Sequence, residues 1–261
     1  MAIVETEDRG SVRHVVLNRP EKRNAMNGEV VSEVGLALKA AANDPDVLCV
    51  VVRGAGAMFS SGMDFHTLGE LPRHVEMLRA FRRECIEAWN LAEEMIKPTI
   101  ASIHGGCIGG AMELALACDL RVMATDAVIG MPETRVGLIP DVGGSSRLPA
   151  VVGLGRAKEL IMTARLIGAE EAERIGLLNR VVEPAELEGA TEALVAELLA
   201  NSHVAVGRAK RVIDASARPA IAQTLEMEIA VQEFCVAAAR ESGRAQADTN
   251  VQAEAQTALA G

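Results

Sequence analysis

The chain alternates between short apolar runs and longer segments with hydrophobic residues at helical spacing. Apolar side chains run almost without interruption at residues 47–52 and 99–103, which is typical of strands buried on both faces of a sheet. Residues 28–42 and 75–96 carry apolar side chains three and four positions apart and predict helices. Further strands are predicted at residues 12–17, 120–124, 127–129 and 178–182. This alternation predicts an α/β fold with a mainly parallel sheet and helical crossovers.

The pattern changes after Gly153, where helices dominate and a single strand interrupts them. Helices are predicted at residues 156–163, 169–175, 185–199, 204–215 and 221–239. We therefore expect residues 1–200 to form the core and residues 201–261 to form a helical C-terminal lid or assembly region. The Ala/Gln-rich end beyond about residue 241 is predicted to be a frayed or solvated helix.

Composition and charge argue against two classes of function. The chain has 261 residues, of which 49% are hydrophobic and only 2% aromatic. One Trp, no Tyr and a net charge of −10 leave neither a stacking surface nor a positive field for nucleic acid. No window reaches 18 uninterrupted apolar residues, so we expect no membrane span.

The chain also predicts a cytoplasmic protein without a metal site. The N-terminal sequence MAIVETEDRG carries acids and no long apolar region, unlike a secretion or transit signal. The five cysteines form no C-x-x-C pair and mostly occupy apolar runs, which indicates reduced thiols. The five histidines have no metal-ligand spacing to each other or to a cysteine.

Acidic residues in apolar, glycine-punctuated sequence are the strongest chemical signal. The segment HGGCIGGAMELALACD, from residue 104, carries Glu113, and the segment MPETRVGLIPDVGG, from residue 131, carries Glu133 and Asp141. Carboxyl groups in apolar surroundings suit proton transfer, so these three are candidate catalytic residues. Each also has a structural interpretation. Glu113 could be a buried Glu paired with Arg, Glu133 a helix N-terminal acid, and Asp141 a turn residue.

Two glycine-containing segments could form the halves of an oxyanion hole. They are SGMD at residues 61–64 and IGGAM at residues 108–112, and each places glycine at the start of a predicted helix. Backbone N–H groups at such positions can stabilise an oxyanion, although ordinary turns that need positive φ explain the glycines as well. The basic cluster in NRPEKRNAMN, residues 18–27, is either a loop near the phosphates of an anionic cofactor or a solvated loop.

Five segments, taken in order, resemble the crotonase or enoyl-CoA hydratase/isomerase superfamily over about residues 12–182. They are NRPEKRNAMN, SGMD, HGGCIGGAMELALACD, MPETRVGLIPDVGGSSRLP and TARLIGAEEAERIGLLNRVV. The resemblance implies a crotonase-like spiral of repeated ββα units, followed by helices that build homotrimers and often hexamers. It also implies acyl-CoA substrates, with coenzyme A as the thioester carrier and no tightly bound cofactor.

The resemblance further implies roles for individual residues. For coenzyme A, it places the side chains of Lys22 and Arg23 near the phosphates and the backbone of Arg23 and Ala25 near the adenine, with Ser61 and Asp64 beside the cofactor channel. The backbone N–H groups of Met63 and Gly110 match the oxyanion pair of the family. Glu113 and Glu133 match the two glutamates of the hydratases.

These positions favour an enoyl-CoA hydratase that adds water to a 2-enoyl-CoA in fatty acid oxidation. The main alternative is a 3,5- to 2,4-dienoyl-CoA isomerase that uses Glu133 and Asp141, because hydratases usually have Gly at the latter position. That branch, however, tends to carry Asp where this chain has Glu113. Two alternatives from other classes of function remain open: a catalytically idle acyl-CoA-binding protein and an RNA-binding relative of the family.

Overall fold

The computed structural model describes residues 2–64, 75–218 and 220–241, which fold into two sheets and surrounding helices. The strands are β1 (Val4–Arg9), β2 (Val12–Leu17), β3 (Cys49–Gly54), β4 (Thr99–Ile103), β5 (Gly106–Ile108), β6 (Leu120–Ala124), β7 (Val128–Gly130), β8 (Ile167–Gly168) and β9 (Arg180–Val182). The helices are α1 (Gly28–Asn43), α2 (Val75–Glu94), α3 (Gly110–Ala117), α4 (Gly144–Val152), α5 (Leu154–Thr163), α6 (Ala169–Arg174), α7 (Leu187–Leu199), α8 (His203–Ala217) and α9 (Ile221–Glu241).

The larger sheet has the strand order β1-β2-β3-β4-β6-β9, and the smaller sheet has the order β5-β7-β8. In the larger sheet β1 and β2 are antiparallel, whereas β2, β3, β4, β6 and β9 are parallel neighbours. The apolar residues of β4 are buried along its whole length, as a strand covered on both faces requires. The predicted mainly parallel sheet is therefore confirmed.

The middle of the chain repeats one structural unit. A strand of the larger sheet, a strand of the smaller sheet and a helix follow each other as β4-β5-α3 and again as β6-β7-α4. This arrangement matches the repeated ββα units expected from the sequence. It also brings the two acid-bearing segments, which follow β5 and β7, to the same end of adjacent parallel strands.

The C-terminal helices cover this core. Helix α7 packs on β4 and β6, while α9 packs against α2 and α4. A helical C-terminal region is thus present, and its role as a lid or assembly region stays a prediction. The helix start predicted at residues 63–65 falls partly outside the described residues. Within the described ranges, none of the helices is both long and apolar enough to cross a membrane.

Strand β1, the short strands β5 and β8, and helix α4 were not predicted, and β1 and α4 each have a physical reason. Strand β1 has the polar sequence VETEDR because it is an edge strand with most side chains exposed, so it lacks a hydrophobic signal. Helix α4 begins at Gly144 and contains Pro149, residue types that usually interrupt helices. Tertiary contacts of the buried Arg147 hold it instead.

A buried asparagine joins two loops that lie next to each other in the fold. Asn24, with φ 54°, is 1% exposed, and its Nδ2 donates to the carbonyl oxygens of Ala55, Met58 and Phe59 at 2.8, 2.8 and 3.1 Å. Its Oδ1 accepts from the N–H of Arg19 at 2.9 Å. Asn tolerates this left-handed backbone better than most residues. One side chain therefore fixes the basic loop to the loop that leads into residues 61–64.

We predict that Asn24→Ala will lower the free energy of unfolding by about 3 kcal/mol, because buried carbonyl groups lose their donor. Urea denaturation of the wild type and the variant measures the difference. Asn43→Ala is the matched control, since the exposed Asn43 makes one bond to Lys39 O within its own helix. Its effect should stay below about 0.5 kcal/mol. Equal losses in the two variants would contradict the role assigned to Asn24.

Candidate active site

A cavity of about 510 Å³ lies where the basic loop, residues 61–64, the start of α3, residues 132–141 and α9 meet. All ten residues singled out from the sequence line it: Lys22, Arg23, Ala25, Ser61, Met63, Asp64, Gly110, Glu113, Glu133 and Asp141. The fold thus brings together positions that are far apart in the chain. Arg82, Arg135 and Gln232 also line the cavity and were not predicted.

The candidate oxyanion donors are the backbone N–H groups of Met63 and Gly110. Met26 forms a parallel bridge with Met63, using the N–H groups of Met26 and Asp64, so the N–H of Met63 points to the opposite side. Gly110 is the first residue of α3, where a helix leaves its N–H groups unpaired. Neither N–H finds an acceptor among the residues that the structure describes. Both are therefore available to a ligand oxygen.

Glycines allow these donors to approach each other. Gly62 has φ +92°, and a Cβ there would lie 2.4 Å from the carbonyl oxygen of Ile108. Gly109 has φ +57°, and its Cβ would lie 2.7 Å from Oε1 of Glu133. Both positions therefore need glycine for conformation and for space. The close packing places Glu133 directly beside the turn that opens α3.

Glu113 is buried and held by backbone donors. It is 2% exposed, and its Oε1 accepts from the N–H of Val142 at 3.0 Å and of Gly144 at 2.8 Å. Burial, followed by the charges of Glu133 and Asp141, raises the pKa of Glu113 well above its ordinary value. The two hydrogen bonds fix one oxygen and leave the other for the cavity. A carboxylate so placed is a strong, oriented base.

Glu133 is half-buried, faces the cavity, and lies in a short 3₁₀ turn, Glu133–Val136. Its Oε2 is out of contact with solvent and has no hydrogen-bond partner in the described part of the chain. Burial, with a smaller contribution from the charge of Asp141, raises the pKa of Glu133 to about 7. A carboxyl group with this pKa is present in both protonation states near neutral pH, which suits a proton carrier.

Asp141 forms a buried ion pair that the sequence did not predict. Its Oδ2 lies 2.7 Å from Nε of Arg82, and the two side chains are almost fully buried. The N–H of Nε does not point at the oxygen, so the pair is close but is not an aligned hydrogen bond. Burial raises the pKa of Asp141 to about 6, although the Arg82 guanidinium acts in the opposite direction.

Basic residues occupy the mouth of the cavity. The side chains of Lys22 and Arg23 are exposed, and both line the cavity. Arg19 instead turns inward, where its NH1 donates to Ala25 O at 2.6 Å and lies 3.5 Å from Asp64. The carbonyl of Arg23 accepts from Ser61 N at 3.0 Å, which ties the basic loop to the oxyanion segment. The two exposed cations are placed to meet an anionic group at the entrance.

Helix α9 supplies two buried polar residues to the far side of the site. Glu228 accepts from the N–H of Gly143 at 2.7 Å and from the hydroxyl of Ser146. Burial raises the pKa of Glu228 to about 7. Gln232 accepts from the N–H of Ile139 at 2.9 Å. These contacts fix residues 139–146, and the sequence pattern of α9 gave no sign of them.

Cys107, in the glycine-rich turn, is fully buried, and burial raises the pKa of its thiol well above the ordinary value. It therefore remains a protonated thiol, in agreement with the reduced thiols expected from the sequence. Cys49, Cys85 and Cys118 are likewise free and buried. Among the described residues, no cluster of three or more His, Cys, Asp or Glu side chains is arranged to hold a metal ion.

The chain matches the family model for enoyl-CoA hydratase/isomerase over residues 7–248. The short-chain-enoyl-CoA hydratase of Clostridium acetobutylicum is 38% identical over 215 residues, which are 80% of this chain and 79% of that protein. The mitochondrial Delta(3,5)-Delta(2,4)-dienoyl-CoA isomerase of Pongo abelii is 41% identical over 210 residues, which are 76% of this chain and 64% of that protein.

Solved structures are similar over nearly the whole chain. An enoyl-CoA hydratase from Mycobacterium avium subsp. paratuberculosis K-10 has a TM-score of 0.84 at 27% identity, covering 95% of this chain and 99% of that one. An enoyl-CoA hydratase/isomerase from Xanthobacter autotrophicus Py2 has a TM-score of 0.84 at 32% identity, covering 96% and 98%. These similarities confirm the predicted crotonase-like α/β spiral and an enzyme as the class of protein. The chain belongs to the enoyl-CoA hydratase/isomerase family, within the crotonase superfamily.

Proposed function

We propose that this protein is an enoyl-CoA hydratase that adds water across the double bond of a 2-enoyl-CoA in fatty acid oxidation. The observation that carries the proposal is that Glu113 and Glu133 line the same cavity as Met63 and Gly110, whose N–H groups have no acceptor among the described residues. Hydration of a conjugated thioester needs these two elements together. The names of the hydratase relatives support the same reaction.

In this proposal the N–H groups of Met63 and Gly110 bind the thioester carbonyl oxygen. Negative charge builds on that oxygen as the enolate forms, and one such donor lowers the barrier by about 3 kcal/mol. Water, oriented by the two glutamates, gives a proton to Glu113 while its oxygen bonds to the β-carbon. Glu133 delivers a proton to the α-carbon. The water and the two glutamates lie on one face of the double bond, so the addition is syn.

The raised pKa of Glu133 and the hydrogen bonds of Glu113 support these roles. The pKa of Glu133 is raised to about 7, so a proton is available to the α-carbon near neutral pH. Glu113 keeps one oxygen in two backbone hydrogen bonds, which leaves the second to accept a proton from water. Lys22 and Arg23 at the cavity mouth are proposed to bind the phosphates of the coenzyme A carrier.

A dienoyl-CoA isomerase is the second candidate, because Asp141 lines the cavity and burial raises its pKa to about 6. The dienoyl-CoA isomerase relative supports it as well. Against it, Arg82 lies 2.7 Å from Asp141 and stabilises its charged form. A proton shuttle at this position would have to work against that cation, whereas hydration makes no such demand. The hydratase is therefore preferred.

We also propose that the C-terminal helices assemble the protein into a homotrimer or a hexamer. Met227, Val231 and Phe234 lie at helical spacing on α9 and are exposed, with Phe234 74% exposed. On α8, Val212 and Ile213 are exposed too. Such apolar surface is costly in a monomer and typical of an interface. The buried free thiols support the further proposal of a cytoplasmic location.

We predict that Glu133→Gln and Glu113→Gln will each lower kcat for crotonyl-CoA hydration by roughly 10³-fold, because each removes a proton carrier but keeps the shape. Loss of ultraviolet absorbance of the enoyl thioester measures the rate. Asp141→Asn is the discriminating variant and should retain hydration within about tenfold. The proposal is wrong if crotonyl-CoA is untouched while a 3,5-dienoyl-CoA gains 2,4-diene absorbance in a reaction that Asp141→Asn abolishes.

We predict that the pH dependence of stability will differ between the wild type and Glu133→Gln. The carboxyl group ionises at its ordinary pKa of 4.5 in the unfolded chain and at about 7 in the folded one. Between these values the folded state binds more protons, so rising pH destabilises the wild type relative to the variant, which has no proton to lose. Above about pH 7 the difference becomes constant.

Urea denaturation from pH 4.5 to 8 measures this difference. The surface substitution Glu33→Gln on α1 is the matched control and should follow the wild type throughout. A pH-independent difference between the wild type and Glu133→Gln would show that Glu133 is not held in a desolvated position.

We predict that Phe234→Glu will dissociate the oligomer, because it places a charge in the proposed interface. Light scattering after size-exclusion chromatography should report a trimer or hexamer for the wild type and a smaller species for the variant. Leu36→Glu, which alters an exposed leucine on α1, is the control and should leave the mass unchanged. A monomeric wild type would contradict the proposed assembly.

A further inference from the structure

The cavity contains a polar corner that hydration does not use. Gln232 lines the cavity, is 1% exposed, and accepts from the N–H of Ile139 through Oε1. That bond fixes the orientation of the amide, because a backbone N–H needs an acceptor. The amide nitrogen Nε2 is therefore directed elsewhere, and it has no acceptor among the described residues.

A second buried donor of the cavity lies against the same segment. Arg82 is 3% exposed and lines the cavity, and its Nε lies close to Asp141 without an aligned hydrogen bond. Ile139 and Asp141 are two positions apart, so their Cα atoms are within about 7 Å. The Gln232 amide and the Arg82 guanidinium thus flank one short segment. The residues assigned to hydration, Glu113 and Glu133, do not satisfy either donor.

The chemistry of this corner selects a class of ligand. A buried donor without an acceptor is destabilising and is normally satisfied by water or by a ligand. A hydrocarbon chain would leave the Gln232 amide unpaired. An anionic group would meet the carboxyl groups of Glu113, Glu133 and Asp141, which also line the cavity, and the guanidinium of Arg82 already lies against Asp141. A neutral oxygen accepts hydrogen bonds without that repulsion.

We propose that the acyl group of the substrate carries a neutral oxygen beyond the double bond, as a hydroxyl or a ketone, which accepts a hydrogen bond from Nε2 of Gln232. This inference rests on the proposed function, because it takes the cavity to be the acyl-CoA site. The basic entrance at Lys22 and Arg23 accounts for the coenzyme A end. The Gln232 corner lies beside the acid-bearing segment, where the acyl chain reacts.

Binding tests the inference without requiring turnover. Calorimetry should compare saturated octanoyl-CoA with derivatives that carry a hydroxyl or a ketone at the fifth or the seventh carbon. A further derivative carries a carboxylate at the chain end. We expect the wild type to bind one of the hydroxyl or keto forms at least about 30-fold more tightly than octanoyl-CoA. Gln232→Met is similar in length and removes the donor, so it should abolish this preference, measured as the ratio of the two affinities in the same variant.

Two controls accompany the variant. Gln223→Met makes the same exchange on an exposed position of α9 and should keep the preference. Gln232→Leu, a second exchange that removes the donor, should also lose the preference, even if Gln232→Met fails to fold. Hydration of 2-octenoyl-CoA, measured in parallel, tests the proposed function separately.

The outcomes separate the two proposals. Equal affinities of the wild type for the neutral compounds, or preference for the carboxylate, would overturn the inference whether or not 2-octenoyl-CoA is hydrated. A preference that survives in Gln232→Met and Gln232→Leu would also overturn it. A preference for a hydroxyl or keto form without hydration of 2-octenoyl-CoA would support hydrogen bonding by Gln232 and contradict the proposed hydratase function.

Discussion

Glu113 accepts hydrogen bonds from the backbone N–H groups of Val142 and Gly144, and the rest of the site is arranged around this contact. A carboxyl group withdrawn from water on a helix of the core would be expensive if it were unpartnered. The two N–H groups compensate part of that cost, and the one of Val142 lowers the pKa of Glu113 against the larger effect of burial. The same contact joins α3 to the segment that carries Asp141. A single interaction therefore sets the orientation of one acid and the position of another.

The segment between these acids is held from several sides. Gly143, between the two donors to Glu113, gives its own N–H to Glu228 of α9. Arg147, fully buried, bonds Glu93 at 2.6 Å and also reaches the carbonyl of Val142. Breaking a buried pair of this kind typically costs about 3–5 kcal/mol. The backbone at the centre of the site is thus rigid because neighbouring helices satisfy its polar groups, which suits groups that must keep fixed positions during proton transfer.

The sequence predicted much of this architecture but few of the tertiary hydrogen bonds and ion pairs that hold the site. The strands at residues 12–17, 99–103 and 120–124 were predicted at the bounds observed, because buried aliphatic runs are an unambiguous signal. The cavity-lining residues came from ordered motifs and a family resemblance, since spacing alone cannot show that Lys22 and Asp141 share a cavity. The ion pair between Arg82 and Asp141 could not be predicted from the sequence. Arg82 lies on a helix rich in charged residues, and only tertiary packing distinguishes it from its exposed neighbours.

Helix α9 is the last described element of the chain, yet it supplies Glu228 and Gln232 to the centre of the molecule. During synthesis the sheets and the acid-bearing segments emerge before it. Until α9 docks, the N–H groups of Gly143 and Ile139 face solvent instead of a carboxylate and an amide. The core can thus collapse first and the wall of the cavity be completed last. A message cut short before this helix would yield a protein with its hydrophobic interior formed but with one wall of its cavity absent.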